Sequence, residues 1–139
     1  STAPQLAAEE KGVKAIGYNT STPDAAPGAD LTAPLFHRDV FYKNDIQSII
    51  DGTWEPKSYW EGLAEGMVSL DALTSNCVEG TQEAVDEATA KIIDGSLVIF
   101  SGELKDNTGA VRVEAGQTMT DEELQAFDWF VEGVIGTIG

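Results

Sequence analysis

The sequence predicts an α/β fold, a parallel sheet with helices on both faces in an αβα arrangement, and three observations carry that prediction. Strand-like and helix-like stretches alternate along the chain, the order that builds βαβ units. Leu97-Val98-Ile99-Phe100 is apolar without a break, as a strand buried on both faces must be. Two stretches, one through Tyr42 and Ile50 and one through Val85 and Ile93, repeat apolar residues at helical spacing.

From the amino end, Thr2 is placed to cap a short helix with Pro4 in its first turn, running through Gln5 to Glu10 and stopped by Gly12. Val13-Lys14-Ala15-Ile16 reads as a strand ending at Gly17. Residues 19–30, rich in Thr, Ser, Pro, Gly and Ala, read as a loop, and Leu31 to Leu35 as a second apolar strand broken by Pro34. Tyr42, Ile46, Ile49 and Ile50 then form one helical stripe, with Asp39 as a candidate cap and Asp51-Gly52 as the stop.

Trp54 to Trp60 is an aromatic connection holding Pro56. Its rings Trp54, Tyr59 and Trp60 are expected to pack beneath it rather than to form a carbohydrate platform. Gly66 to Leu70 alternates like a strand, and residues 71–80 read as loop. Val85, Ala88, Ile92 and Ile93 share one face of a helix over Thr81 to Asp94, ended by Gly95. Asp106-Asn107-Thr108-Gly109 is a hairpin turn between Glu103-Leu104-Lys105 and Val111-Arg112-Val113. Thr120 and Glu123 have capping-box spacing, with Met119 and Leu124 placed as a hydrophobic staple. Leu124, Phe127, Asp128 and Val131 fall on one face of that last helix. With no internal repeat or linker, residues 1–139 are expected to form a single domain.

Composition narrows the function. Against 24 Asp plus Glu stand 8 Lys plus Arg, a net charge of −16, and such a field repels nucleic-acid phosphates and anionic membranes. The excess acid is either an ordinary solvated surface or an adaptation to high salt. Cys77 is the sole cysteine and His37 the sole histidine, so no internal disulfide and no thiolate or imidazole metal cluster is expected, nor any other cofactor. No apolar run approaches the ~20 residues of a membrane span, and the start lacks signal-peptide character, so the chain is expected to be mature or cut. The carboxylates show no spacing that singles out an acid and a nucleophile, and Cys77 lies between Asn76 and Val78 with no cationic neighbour, so an enzyme is not expected.

Ligands of such sheets sit beyond the carboxyl ends of the strands, which directs attention to Tyr18-Asn19-Thr20-Ser21 and Phe36-His37-Arg38. No glycine-rich phosphate loop occurs in either segment.

Several runs in order along the chain resemble landmarks of the basic membrane lipoprotein family of ABC-transporter substrate-binding proteins. They are Val13-Lys14-Ala15-Ile16-Gly17-Tyr18-Asn19, Asp51-Gly52-Thr53-Trp54, Tyr59-Trp60-Glu61-Gly62-Leu63 and Asp128-Trp129-Phe130-Val131-Glu132-Gly133. Leu31-Thr32-Ala33-Pro34, Ile92-Ile93-Asp94-Gly95, Leu104-Lys105-Asp106 and Thr120-Asp121-Glu122-Glu123-Leu124 fit the same register. The resemblance implies the carboxy-terminal lobe of a two-lobed, type I periplasmic-binding fold, with the amino-terminal lobe outside this sequence. It implies a component of an ABC importer that binds adenine, another purine or a nucleoside between its lobes. The same family places the full-length protein in the periplasm or at the cell surface, anchored as a lipoprotein and working with membrane subunits of the transporter.

Carried over residue by residue, Ser21 stands where the family usually has an Asp, and Asp24 replaces it only if the loop folds back. Phe36 follows the branch of the family that has an aromatic residue after the second strand, where a ring stacks on a base. Asn19 and His37 complete the expected ligand-binding set. Each has a plainer role open to it: Asn19 and Ser21 as turn formers, Phe36 as core, His37 as a surface residue or a partner of a loop carbonyl. A further alternative is an isolated lobe acting as a structural or self-associating module, a homodimer paired through an exposed sheet edge.

Overall fold

In the computed structural model, which describes residues 1–138, the chain is mixed α/β and its packing falls into two units, Ser1–Ile93 and a second beginning at Asp94. The first holds α1 (Ala3–Glu10), β1 (Pro34–Phe36), α2 (Arg38–Ile50), β2 (Val68–Leu70) and α3 (Thr81–Ile93). The second holds β3 (Leu104–Lys105), β4 (Val111–Val113) and α4 (Asp121–Gln125).

Pro4 sits in the first turn of α1, where its missing N–H has no helical acceptor to lose, and Gly12 ends the helix region at φ 67. Thr2 occupies the cap position without a side-chain cap bond. The Ser1 hydroxyl instead accepts from the Ala3 N–H at 3.3 Å. The chain then enters the centre of the first unit. Ala15 N donates to Ala29 O at 3.0 Å and Leu31 N donates to Ala15 O at 2.9 Å, forming a parallel bridge between Ala15 and Asp30. Gly17 N to Thr32 O and Asn19 N to Pro34 O, both 2.8 Å, carry this contact onward. On its other flank β1 pairs antiparallel with β2, Pro34 opposite Leu70 and Phe36 opposite Val68. Pro34 begins that strand rather than breaking it, the strand position where a residue without N–H costs least.

The expected parallel sheet is therefore reduced to one bridge, and both regular sheets are two-stranded and antiparallel. The cause lies in the connection: α2 carries the chain away from β1, and residues 51–67 bring it back to the carboxyl end of β1, so β2 runs opposite. Leu97 to Phe100 forms no strand either. Leu97, Val98 and Ile99 are 41, 45 and 66 % exposed; Val98 O accepts from Ser101 Oγ at 2.7 Å, and the end of the run is tied by Met119 N to Phe100 O at 3.0 Å and a Ser101–Thr118 bridge. A buried parallel strand needs partners on both edges, and in this unit β3 and β4 pair with each other.

Helix α2 has His37 at its cap position, not Asp39, whose carboxylate lies in the first turn and ion-pairs with Lys43 at 2.9 Å. An anion there also complements the helix dipole. The stripe of Tyr42, Ile46, Ile49 and Ile50 faces outward, and Val40, Phe41, Asp45 and Ser48 are the half-buried side. Apolar spacing states that a helix needs a partner, and among the described residues none covers this stripe.

The centre of the first unit is built from small residues, with Ala26, Ala29 and Ala33 buried beside Gln5 and Thr32. Gly17 lets the segments approach this closely, since a Cβ there would stand 3.0 Å from the Ala33 Cβ and 3.2 Å from Gln5 Nε2. In the second unit the hairpin forms as the sequence predicts, with Gly109 at φ 89. The capping box of α4 is complete: Glu123 N donates to Thr120 Oγ1 and Thr120 N to Glu123 Oε2. The helix stops at Gln125, so Phe127, Asp128 and Val131 are not on it. Phe127 stacks on Trp129 at 4.4 Å and meets Phe100 edge-on at 5.4 Å. Asn107 N to Phe130 O and Glu132 N to Lys105 O then draw the chain into extended pairing against the hairpin.

Candidate functional site

Tyr18 and Asn19 end the first parallel-bridged segment, and Phe36 and His37 end the second, so backbone pairing sets these four residues side by side. Asn19 holds φ 63, a left-handed conformation that asparagine tolerates better than most residues, and its N–H is fixed to Pro34 O. The rings of Tyr18 and Phe36 meet edge-on, centroids 6.1 Å apart. Tyr18 is 74 % and Phe36 41 % exposed, so Phe36 is not core and the pair presents ring surface outward. His37 N donates to Met67 O at 2.8 Å, which anchors the start of α2 against the residue preceding β2. Its Nε2 lies 2.6 Å from Ser69 Oγ, and the hydroxyl and the imidazole share one proton between them in either sense. His37 thus takes neither of its plainer roles, being half-buried and bonded to a side chain.

Ser21 is exposed, and Asp24 lies exposed in a short turn over Pro23–Ala25. Among the described residues no hydrogen bond joins either side chain to Asn19, Phe36 or His37. Tyr18 and Ser69 enter the site beyond the expected five. Tyr18 stood in the segment that strand-end reasoning singled out. Ser69 is the one polar residue in the Val68-Ser69-Leu70 alternation, which places it on the opposite face from its neighbours.

Electrostatics around this region centre on two carboxylates. The Lys43 hydrogen bond and charge hold Asp39 below the usual carboxylate range. Asp30, 3 % exposed and itself one of the two residues of the parallel bridge, is pushed up by burial and then by the charge of Asp71. Among the described residues its Oδ1 has no hydrogen-bond donor. Among the described residues no three His, Cys, Asp or Glu side chains are grouped to hold a metal ion, and no helix is long and apolar enough to cross a membrane. What the Tyr18–Phe36 and His37–Ser69 pairs can do chemically is bind: they offer ring faces and a polar edge.

No family model matches the chain. Against characterised proteins it is 31 % identical over 134 residues to a purine-binding protein of Brucella abortus, covering 96 % of this chain and 38 % of that one. It is 27 % identical over 133 residues to a Haloferax volcanii protein with the provisional name ABC transporter glucose-binding protein, covering 95 % of this chain and 31 % of that one. The chain is similar to one part of each of these two binding proteins. The basic membrane lipoprotein resemblance points to the same kind of protein, and the chain spans about a third of the length of these relatives. Both relatives are named as binding proteins. Among solved structures, an ABC transporter solute-binding protein of Conexibacter woesei superposes with a TM-score of 0.54 at 18 % identity, over 68 % of this chain and 33 % of that one. A transcriptional activator of the comK gene from Bacillus halodurans gives 0.58 at 23 % identity, over 67 % and 33 %. At these identities the two structures speak for a shared fold and not for a role or a ligand.

Proposed function

We propose that this chain forms one wall of the ligand cleft in the solute-binding component of an ABC importer, as the carboxy-terminal lobe of a type I periplasmic-binding fold, and that the ligand is a purine base or nucleoside. The observation that supports this reading is the exposed Tyr18–Phe36 ring pair beside the His37–Ser69 pair. A planar base stacks on Phe36, while Asn19 and His37 address its polar edge and Ser21 and Asp24 reach it by closure of their loop. Stacking of this kind is worth about 1–3 kcal/mol per base. The protein binds and does not turn over its ligand. It works outside the cytoplasm, lipid-anchored, and hands its ligand to the membrane subunits of the transporter.

Calorimetric titration of adenine, adenosine and glucose into this chain, and into a longer form extended toward the amino terminus, tests the reading. Tight binding of adenine or adenosine by the longer form, weakened at least about fivefold by Phe36→Ala, is the expected result. Half a cleft leaves a ligand half solvated, so this chain alone binds weakly. Glucose binding without purine binding would overturn the ligand class.

A further inference from the structure

Trp54 and Tyr59, expected beneath their connection, instead line a cleft of about 210 Å³ with Asn44, Thr53, Glu55 and Lys57. Trp54 is 47 % exposed. The cleft shares no residue with the Tyr18, Asn19, Phe36, His37 and Ser69 group. Its rings are held in place from behind. Trp54 Nε1 donates to Asp45 Oδ1 at 2.8 Å, and Tyr59 sits edge-on against Phe41 with centroids 4.4 Å apart. Lys57 Nζ lies 4.7 Å from the Tyr59 ring centroid, and Thr53 N donates to Ser48 O at 2.9 Å, tying the connection to α2. Asn44 and Glu55, by contrast, make no side-chain hydrogen bond or ion pair among the described residues, so their bonding capacity faces the cleft or solvent unspent.

The lining favours a neutral ligand that carries hydrogen-bonding groups around a flat face. An anion meets Glu55 and the field of a chain with net charge −16. A cation meets Lys57, which already occupies the Tyr59 ring. A wholly apolar molecule would strip water from an amide, a carboxylate and an ammonium without replacing its bonds. A neutral pyranose escapes all three objections. Its C–H face lies on an indole ring, and each rim hydroxyl both donates and accepts, so it satisfies the Glu55 carboxylate, the Lys57 ammonium and the Asn44 amide alike. A volume of about 210 Å³ is that of about seven waters, room for one such ring.

We propose that this cleft, built on the second half of α2 and the connection after it, is a subsite for a neutral monosaccharide ring, stacked on Trp54 and held at its rim by Asn44, Glu55 and Lys57. The site is shallow, so its affinity is weak, on the order of millimolar. It is independent of the purine reading, because the two sets of residues are separate.

The test is NMR of the isotopically labelled chain, following the Trp54 Nε1–H and the Asn44 side-chain amide while methyl β-glucoside is added up to about 100 mM. The glucoside is chosen because its ring cannot open. Saturable shifts at both groups are expected. Glu55→Ala, an exposed change that leaves the Trp54–Asp45 and Tyr59–Phe41 contacts in place, is expected to weaken the half-saturation point at least about fivefold at the Trp54 reporter. Shifts that grow linearly without saturation, that adenine or acetate reproduces equally, or that Glu55→Ala leaves unchanged would overturn the subsite. A negative result with Phe36→Ala and adenine would remove the purine reading and leave this one standing.

Discussion

Arg112 Nε donates to Asp106 Oδ2 at 2.7 Å across the hairpin of the second unit, and this ion pair is one of four bonds that converge on the Asp106 carboxylate. Thr108 contributes its N–H and its hydroxyl, and Ala110 its N–H, all to Oδ1. The Thr108 hydroxyl and the Arg112 guanidinium, in that order, hold the Asp106 carboxyl far below the usual range. A depressed carboxyl contributes stability that is complete above its unfolded value, near pH 4, and is lost as pH falls through the folded value.

Asp106→Asn is therefore expected to lower the thermal midpoint at pH 7 by roughly 5 °C or more. The gap to the parent chain should close progressively as pH is taken below about 4. Circular-dichroism melts of both chains across that range check it. A gap that stays constant down to pH 2 would mean the carboxylate charge plays no part.

Asp30 has the opposite sign. Buried, with Oδ1 unpartnered and Asp71 near, its folded-state value is raised, so its contribution is complete below about pH 4 and is lost as pH rises through the raised value. Asp30→Asn keeps the shape, removes the charge and supplies an N–H₂ donor toward Asp71. The variant is expected to unfold at higher urea than the parent at pH 7, and to match it near pH 4. Urea midpoints at the two pH values measure this, and a variant less stable at both would show that the carboxylate has a partner that matters.

Gly17 tests the close approach that sets the site. Gly17→Ala places a methyl 3.0 Å from the Ala33 Cβ, an atom fixed to the backbone that cannot swing away. Overpacking of this kind costs about 1–3 kcal/mol. Because Gly17 N also donates to Thr32 O, spreading the two segments displaces Tyr18 and Asn19 from Phe36 and His37. Chemical unfolding checks the stability loss, and loss of the Tyr18–Phe36 ring-current shifts in NMR checks the displacement. An unchanged midpoint would mean the segments part without cost.

Local signals proved the most legible. The Thr120–Glu123 box, the Asp106–Gly109 turn and the Gly12 and Gly95 stops depend on residues a few positions apart, and each forms where its spacing says. The place of the candidate site was legible to the level of strand ends, because the pairing that aligns Gly17 with Thr32 also aligns Asn19 with Pro34, two residues before Phe36. Partners across the chain were not. Ser69 meets His37 only because β2 returns antiparallel, a choice made by the connection 51–67 and not by any periodicity. The stripe of α2 and the Leu97–Phe100 run failed for one shared reason: apolar pattern measures a residue's need for burial and is silent on whether a covering element exists. Trp54 was misread in the same way, as aromatic mass without regard to its exposed face.

The acid excess makes a final prediction. A net charge of −16 on 139 residues repels itself in the compact state, and the ion pairs Asp39–Lys43 and Glu87–Lys91 at the surface offset little of it. Raising ionic strength from about 0.1 M to 1 M shortens the screening length from about 10 Å to 3 Å and removes most repulsion between separated carboxylates. The thermal midpoint is expected to rise with potassium chloride and to level off within this range. Saturation separates screening from salt-specific strengthening of apolar burial, which keeps growing with concentration. Melts in potassium chloride against melts in sucrose decide it: a midpoint flat in salt would make the acidic residues an ordinary solvated surface, with no bearing on stability.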